Sequence, residues 1–134
     1  MQIQTMIIIG LISGILSSMN IWAAKIDDAR LHLNDIYMAL LMTAWMILFE
    51  SILHYNQTYI VCSIIAIIII IYMIRNQVFI SDEQYLSGMI PHHSMAILMS
   101  EKIKNKSNNP ILIKLANNII TSQNREIDIM NKLL

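Results

Sequence analysis

An all-α membrane protein, with three transmembrane helices followed by a C-terminal antiparallel two-helix hairpin, is the fold this sequence predicts. Three observations carry the prediction. The chain of 134 residues is 56% hydrophobic and only 13% charged, a lean toward membrane proteins. Its charges are unevenly spread: residues 1–80 hold only Lys25, Arg30, Arg75, Asp27, Asp28, Asp35 and Glu50, whereas residues 81–134 hold six basic and five acidic side chains. At Ser81 the pattern changes from unbroken apolar runs to amphipathic periodicity. Residues 1–78 therefore read as a membrane domain and 79–134 as a Met/His-rich hairpin domain.

The spans come first. Apolar stretches at about 5–24, 36–53 and 59–74 each approach the length that about 30 Å of hydrocarbon demands of a helix. The first lacks the basic start of a signal peptide, and a cleaved signal is its alternative. Lys25 to Asp35 reads as a short charged loop, with Asn34 and Asp35 as caps for the next helix. His54 to Thr58 reads as a tight turn, and Glu50 and His54 lie one helical turn apart beside it.

From Ser81 the hairpin begins. Ser81 with Gln84 has the capping-box spacing, and Asp82 and Glu83 fall where the helix dipole favours acids, so an amphipathic helix runs to about Lys104. Asn105 to Asn109 is the break. Asn109 as N-cap and Pro110 at the first helical position then start a second helix that runs close to the C-terminus.

A helical wheel puts Tyr85, Met89, His92, Ala96, Met99 and Ile103 on one face of the first hairpin helix, with His93 on its flank. In the second helix the apolar face is Leu112, Ala116, Ile119, Gln123, Ile127, Met130 and Leu134, with Glu126 at its edge. Folding about residues 106–108 brings Met89 opposite Glu126, His92 opposite Gln123 and Tyr85 opposite Met130, to within about a turn. Polar residues of both faces then share one height, where they must find partners.

Those residue types point to metal chemistry. Thioether and imidazole suit a soft or borderline ion such as Cu(I), with Ag(I) as its mimic, and a carboxylate beside a histidine suits Cu(II) or Zn(II). Cys62, the only cysteine, lies in an isoleucine run away from this segment, which argues against a structural zinc site. The candidate ligands are Met89, His92, His93, Met99, Glu126 and Met130, and Gln123 would orient a ligand. Methionines at helical spacing are also ordinary core residues, so the competing expectation is an interaction module whose polar core residues set helix register. Zero net charge and the lack of clustered Lys or Arg set nucleic acid aside as a partner. A di-iron carboxylate site needs several carboxylates in Glu-x-x-His motifs, and Glu126 alone from each chain is too few even in a dimer, so no enzyme is expected.

The pattern Met89-x-x-His92-His93 followed by Met95-Ala96, then Leu115-Ala116 and Gln123-x-x-Glu126-Ile127-x-x-Met130, resembles the ferritin-like family called domain of unknown function 305. Tyr37-Met38-Ala39-Leu40 in the membrane part looks like that family's bacterial membrane-anchored members. The resemblance, over about 79–134, implies a four-helix-bundle fold, export in many members, and copper or silver binding through Met and His in the characterised branch. A lone hairpin is half of such a bundle, and homodimerisation, or a higher homo-oligomer, would complete it. A metal-transport or metallochaperone partner would load the site. Charge distribution alone would put the hairpin on the cytoplasmic side; the resemblance implies the non-cytoplasmic side of a bacterial inner membrane, which is the expectation adopted.

Overall fold

The computed structural model describes residues 3–134, and among them it is all helical. Five α-helices follow in order: α1 Ile3–Leu16, α2 Leu33–Leu53, α3 Gln57–Arg75, α4 Asp82–Lys106 and α5 Pro110–Leu133. Two short 3-10 turns, Met19–Trp22 and Ile26–Asp28, lie between α1 and α2. The residues form two units. One holds α1, α2 and α3; the other holds α4, α5 and the segment Met19–His32.

Three stretches are long and apolar enough to cross a membrane: Ile3–Trp22, Leu33–Leu53 and Gln57–Arg75. Most of each is not buried within the protein, which leaves isoleucine-rich faces such as Ile64, Ile65, Ile68 and Ile69 exposed. A helix satisfies its own backbone hydrogen bonds, so such faces suit a hydrocarbon surround. Gly10 and Gly14 give α1 its contact with α2. A Cβ at Gly10 would lie 2.5 Å from Thr43 Oγ1, and one at Gly14 would lie 2.4 Å from Ala39 Cα. Small residues four apart let two backbones approach this closely. On the other side of α2, Ala44, Leu48 and Ile67 bury one another against α3.

The turn from α2 to α3 closes by a left-handed residue, Tyr55 at φ 54°, with the Asn56 N–H donating to the Ser51 carbonyl. Asn56 then caps α3 by accepting from the Tyr59 N–H. The Glu50 and His54 pairing expected from their spacing is present, with 3.3 Å between His54 Nε2 and Glu50 Oε1. Asn34 and Asp35 differ from expectation: α2 begins at Leu33, so both lie in its first turn instead of capping it.

The hairpin forms where its local signals place it. Ser81 accepts from the Gln84 N–H, Asp82 and Glu83 occupy the first turn, and the helix passes without interruption through buried Pro91. Asn109 accepts from the N–H groups of Ile111 and Leu112, with Pro110 at the start of α5. Ile90, Ile97, Ile127 and Met130 form the shared core of α4 and α5, and Ala24, Leu86, Met89 and Ile120 pack on it. Each fully buried side chain of this size contributes about 1.5–3 kcal/mol.

Residues 19–32 are more than a charged loop. Ala24 reaches the hairpin core, and Ser94 of α4 donates to Asp28 Oδ2 at 2.6 Å while accepting the Ala24 N–H at 2.9 Å. Arg30 donates to the Asn131 side chain of α5 at 2.7 Å, and its backbone N–H donates to Asn20 Oδ1. The segment is a strap across both hairpin helices, and it groups with α4 and α5. The physical reason is Asp28, which is 8% exposed and whose carboxylate finds its partner on α4.

Candidate functional site

The strap also decides which way α4 faces. Its buried residues are Ile90, Pro91, His93, Ser94, Ile97 and Ser100, a face turned by about a third of a helical turn from the one expected. Tyr85, Met99 and Ile103 are exposed, and so is His92. The wheel assumed one buried side, yet α4 is covered twice, by α5 and by the strap. Gly88 and Ser94 are the strap's seat. A Cβ at Gly88 would come within 3.2 Å of buried His32.

His93 takes the inward place expected for His92. Its Nδ1 lies 2.8 Å from the Met89 carbonyl oxygen, and its Nε2 lies 2.7 Å from Glu126 Oε2. A carbonyl oxygen only accepts, so Nδ1 carries a hydrogen and donates it. That fixes the ring so that Nε2 is the nitrogen aimed at the carboxylate. At this distance Nε2 and Oε2 are joined by a hydrogen bond.

The same pair sets the register. Met89 is four residues before His93 on α4, and Met130 is four residues after Glu126 on α5, so in antiparallel helices the two methionines share the next layer. Met130 is buried in the core on which Met89 packs. The expected layers were one turn out: Glu126 faces His93 instead of Met89, and Met130 falls level with Met89 instead of Tyr85. The break lies at Ser107–Asn109, and α4 runs on to Lys106, two residues beyond the expected end.

Of the candidate ligands the fold thus pairs His93 with Glu126, and it packs Met89 on the core that includes Met130. It leaves out His92, whose ring is 6.1 Å from that of His93, and Met99, which is exposed. Gln123 is half-buried on the inner side of α5, one turn from Glu126 and Ile127. Among the described residues no three His, Cys, Asp or Glu side chains converge, so an ion held here would need thioether donors.

Residues 74–134 match the family model for domain of unknown function 305. Over those residues the chain is similar to this family. The matched region thus covers α4 and α5, with the last residues of α3 and the link between them. An uncharacterised protein of Acanthamoeba polyphaga mimivirus is 51% identical over 138 residues, covering 99% of this chain and 91% of the viral protein. The similarity therefore extends through the three candidate spans and the strap. That relative is viral, which lends no support to a bacterial inner membrane. No solved structure matches the chain.

Sequence reasoning missed Asp28 and Ser94. A buried acid can be suspected from sequence only when a partner stands at fixed spacing, and these two are 66 positions apart.

Proposed function

We propose that the protein is a membrane-anchored, non-catalytic binder of a soft metal ion, copper in the first instance, held between α4 and α5 by Met89, His93, Glu126 and Met130. The observation that supports this most is the His93 geometry: a backbone carbonyl holds Nδ1–H and aims Nε2 at Glu126, the arrangement that orients histidine ligands in metal sites. Two thioethers, one imidazole and one carboxylate would suit Cu(I) or Ag(I) through sulfur and nitrogen, and Cu(II) through nitrogen and oxygen. Binding an ion would replace the hydrogen bond between His93 and Glu126, with the imidazole and the carboxylate offered as ligands instead. No cysteine is involved, so the methionine donors need no deprotonation. The function is buffering or resistance, with the hairpin on the non-cytoplasmic side, as the family resemblance implies.

A second reading, assembly, draws on α5. Ile111, Leu115, Ile129 and Leu133 are all exposed and lie on a flank of α5 about a third of a turn round from Ala116 and Ile127. A second copy meeting this stripe would complete a four-helix bundle, and His93 with Glu126 would then serve as a register device.

Titrating the detergent-solubilised full chain with Cu(I) against a competing chelator tests the first reading. Binding lost in His93→Ala and in Met89→Leu/Met130→Leu, yet kept in His92→Ala, supports the site. Absence of binding in a folded wild type leaves the assembly reading in its place.

A further inference from the structure

The face of α4 that turned out to be exposed meets the strap at a second site. Trp22, on the first 3-10 turn, and Leu98, Met99, Lys102, Ile103 and Lys106 of α4 line an open groove of about 610 Å³. Trp22 is 52% exposed and Met99 57%. A helix in water normally spends such positions on polar side chains. Ile21 and Ile26 of the strap are exposed as well, with Lys25 between them. Tryptophan, isoleucine and lysine in one patch are the side chains of membrane interfaces, where an apolar body enters the acyl region and an ammonium stays with the headgroups.

Two further observations specify the occupant. Trp22 is the last residue of the first stretch long and apolar enough to cross a membrane, Ile3–Trp22, and the end of such a stretch is where tryptophan meets the hydrocarbon edge. The polar rim is cationic: Lys102 and Lys106 line the groove, and the nearby acids Asp27 and Glu101 do not.

We propose that this groove docks an anionic phospholipid, its acyl chain along Trp22, Leu98, Met99 and Ile103 and its phosphate between Lys102 and Lys106. The site rests on membrane insertion and is independent of metal binding. It also gives exposed Met99 a role other than that of a ligand.

The test uses the full chain carrying Trp45→Phe, which leaves Trp22 as the sole tryptophan of two, in nanodiscs of phosphatidylcholine mixed with phosphatidylglycerol, with only one lipid brominated at a time. Brominated phosphatidylglycerol is expected to quench Trp22 as though enriched about thirtyfold over its bulk fraction, the worth of two lysines beside an anionic headgroup at about 1 kcal/mol each. Lys102→Gln/Lys106→Gln should return that enrichment to unity while Trp22 stays near lipid. Equal quenching by both lipids, unchanged by the lysine substitutions, would overturn the proposal. So would a Trp22 that neither lipid quenches in a protein that runs as a dimer, because a second copy then covers the groove. Loss of the chain from vesicles in alkaline carbonate would remove the membrane reading along with it. Trp45 stacks on Phe49 in α2; should its replacement disturb the fold, native mass spectrometry of lipid retained by the chain with and without the lysine substitutions makes the same comparison.

Discussion

His93 Nε2 and Glu126 Oε2, from the two helices of the hairpin, lie 2.7 Å apart, and the first is nearly buried while the second is half exposed. One end of the pair is fixed by the protein and the other is open to exchange, as an ion site requires. His93→Ala is expected to weaken Cu(I) binding by more than about tenfold, since losing even a residue that only orients a ligand costs 10- to 100-fold. His92→Ala and Met99→Leu should stay within about threefold, because their side chains lie on another face of α4 and leave the ligands untouched. Competition titration of all three variants checks this, and a His92→Ala loss equal to that of His93→Ala would contradict the site.

Ser94 holds the strap. Its hydroxyl is fully buried, donates to Asp28 and accepts from Ala24, so Ser94→Ala leaves a carboxylate and an N–H without this partner in a protein interior. The expected cost is about 1–3 kcal/mol. Amide hydrogen exchange should show residues 19–32 losing protection first, while the α2 and α3 amides keep theirs. Unchanged protection of the strap would mean that Asp28 contributes little to its docking.

The helices were legible because their signals are local. Ser81, Asn109 and Pro110 act on backbone groups within three residues, so the ends of α4 and the start of α5 followed from the sequence nearly to the residue. The apolar spans were legible for the same reason. The orientation of α4 was not, because it depends on a segment 70 positions away: Ala24 and Asp28 choose Ser94 as their seat, and nothing around Ser94 announces it. Once the strap covers that side, His93 turns inward and His92 outward. The composition of the candidate site was therefore readable, but the choice between adjacent histidines belonged to tertiary packing.

Asn109 offers a cleaner test of local stability. It caps α5 through two N–H groups and touches neither the candidate ligands nor the strap. Asn109→Ala should lower stability by about 1 kcal/mol and leave metal affinity as it is, read by thermal unfolding and by the same titration. A parallel drop in affinity would show that the ion site depends on the turn as well as on the facing layers.

Gly14 and Gly10 make the last prediction, which separates close packing of α1 on α2 from mere adjacency in lipid. At Gly14 an added methyl would meet backbone, with Ala39 Cα at 2.4 Å, and backbone cannot rotate aside; at Gly10 the nearest atom is the Thr43 hydroxyl at 2.5 Å, which can turn, although it donates to the Ala39 carbonyl at 2.8 Å. Both alanine variants should destabilise, and Gly14→Ala more, within the range of about 1–3 kcal/mol for overpacking. Helix propensity works the other way, since alanine is favoured over glycine inside a helix by about 0.8–1.0 kcal/mol. A net loss therefore reports contact and not backbone preference. Thermal unfolding in detergent would show the order wild type, Gly10→Ala, Gly14→Ala in decreasing stability. A gain in stability from Gly14→Ala would mean that α1 stands off from α2 and that the glycines are incidental to the membrane unit.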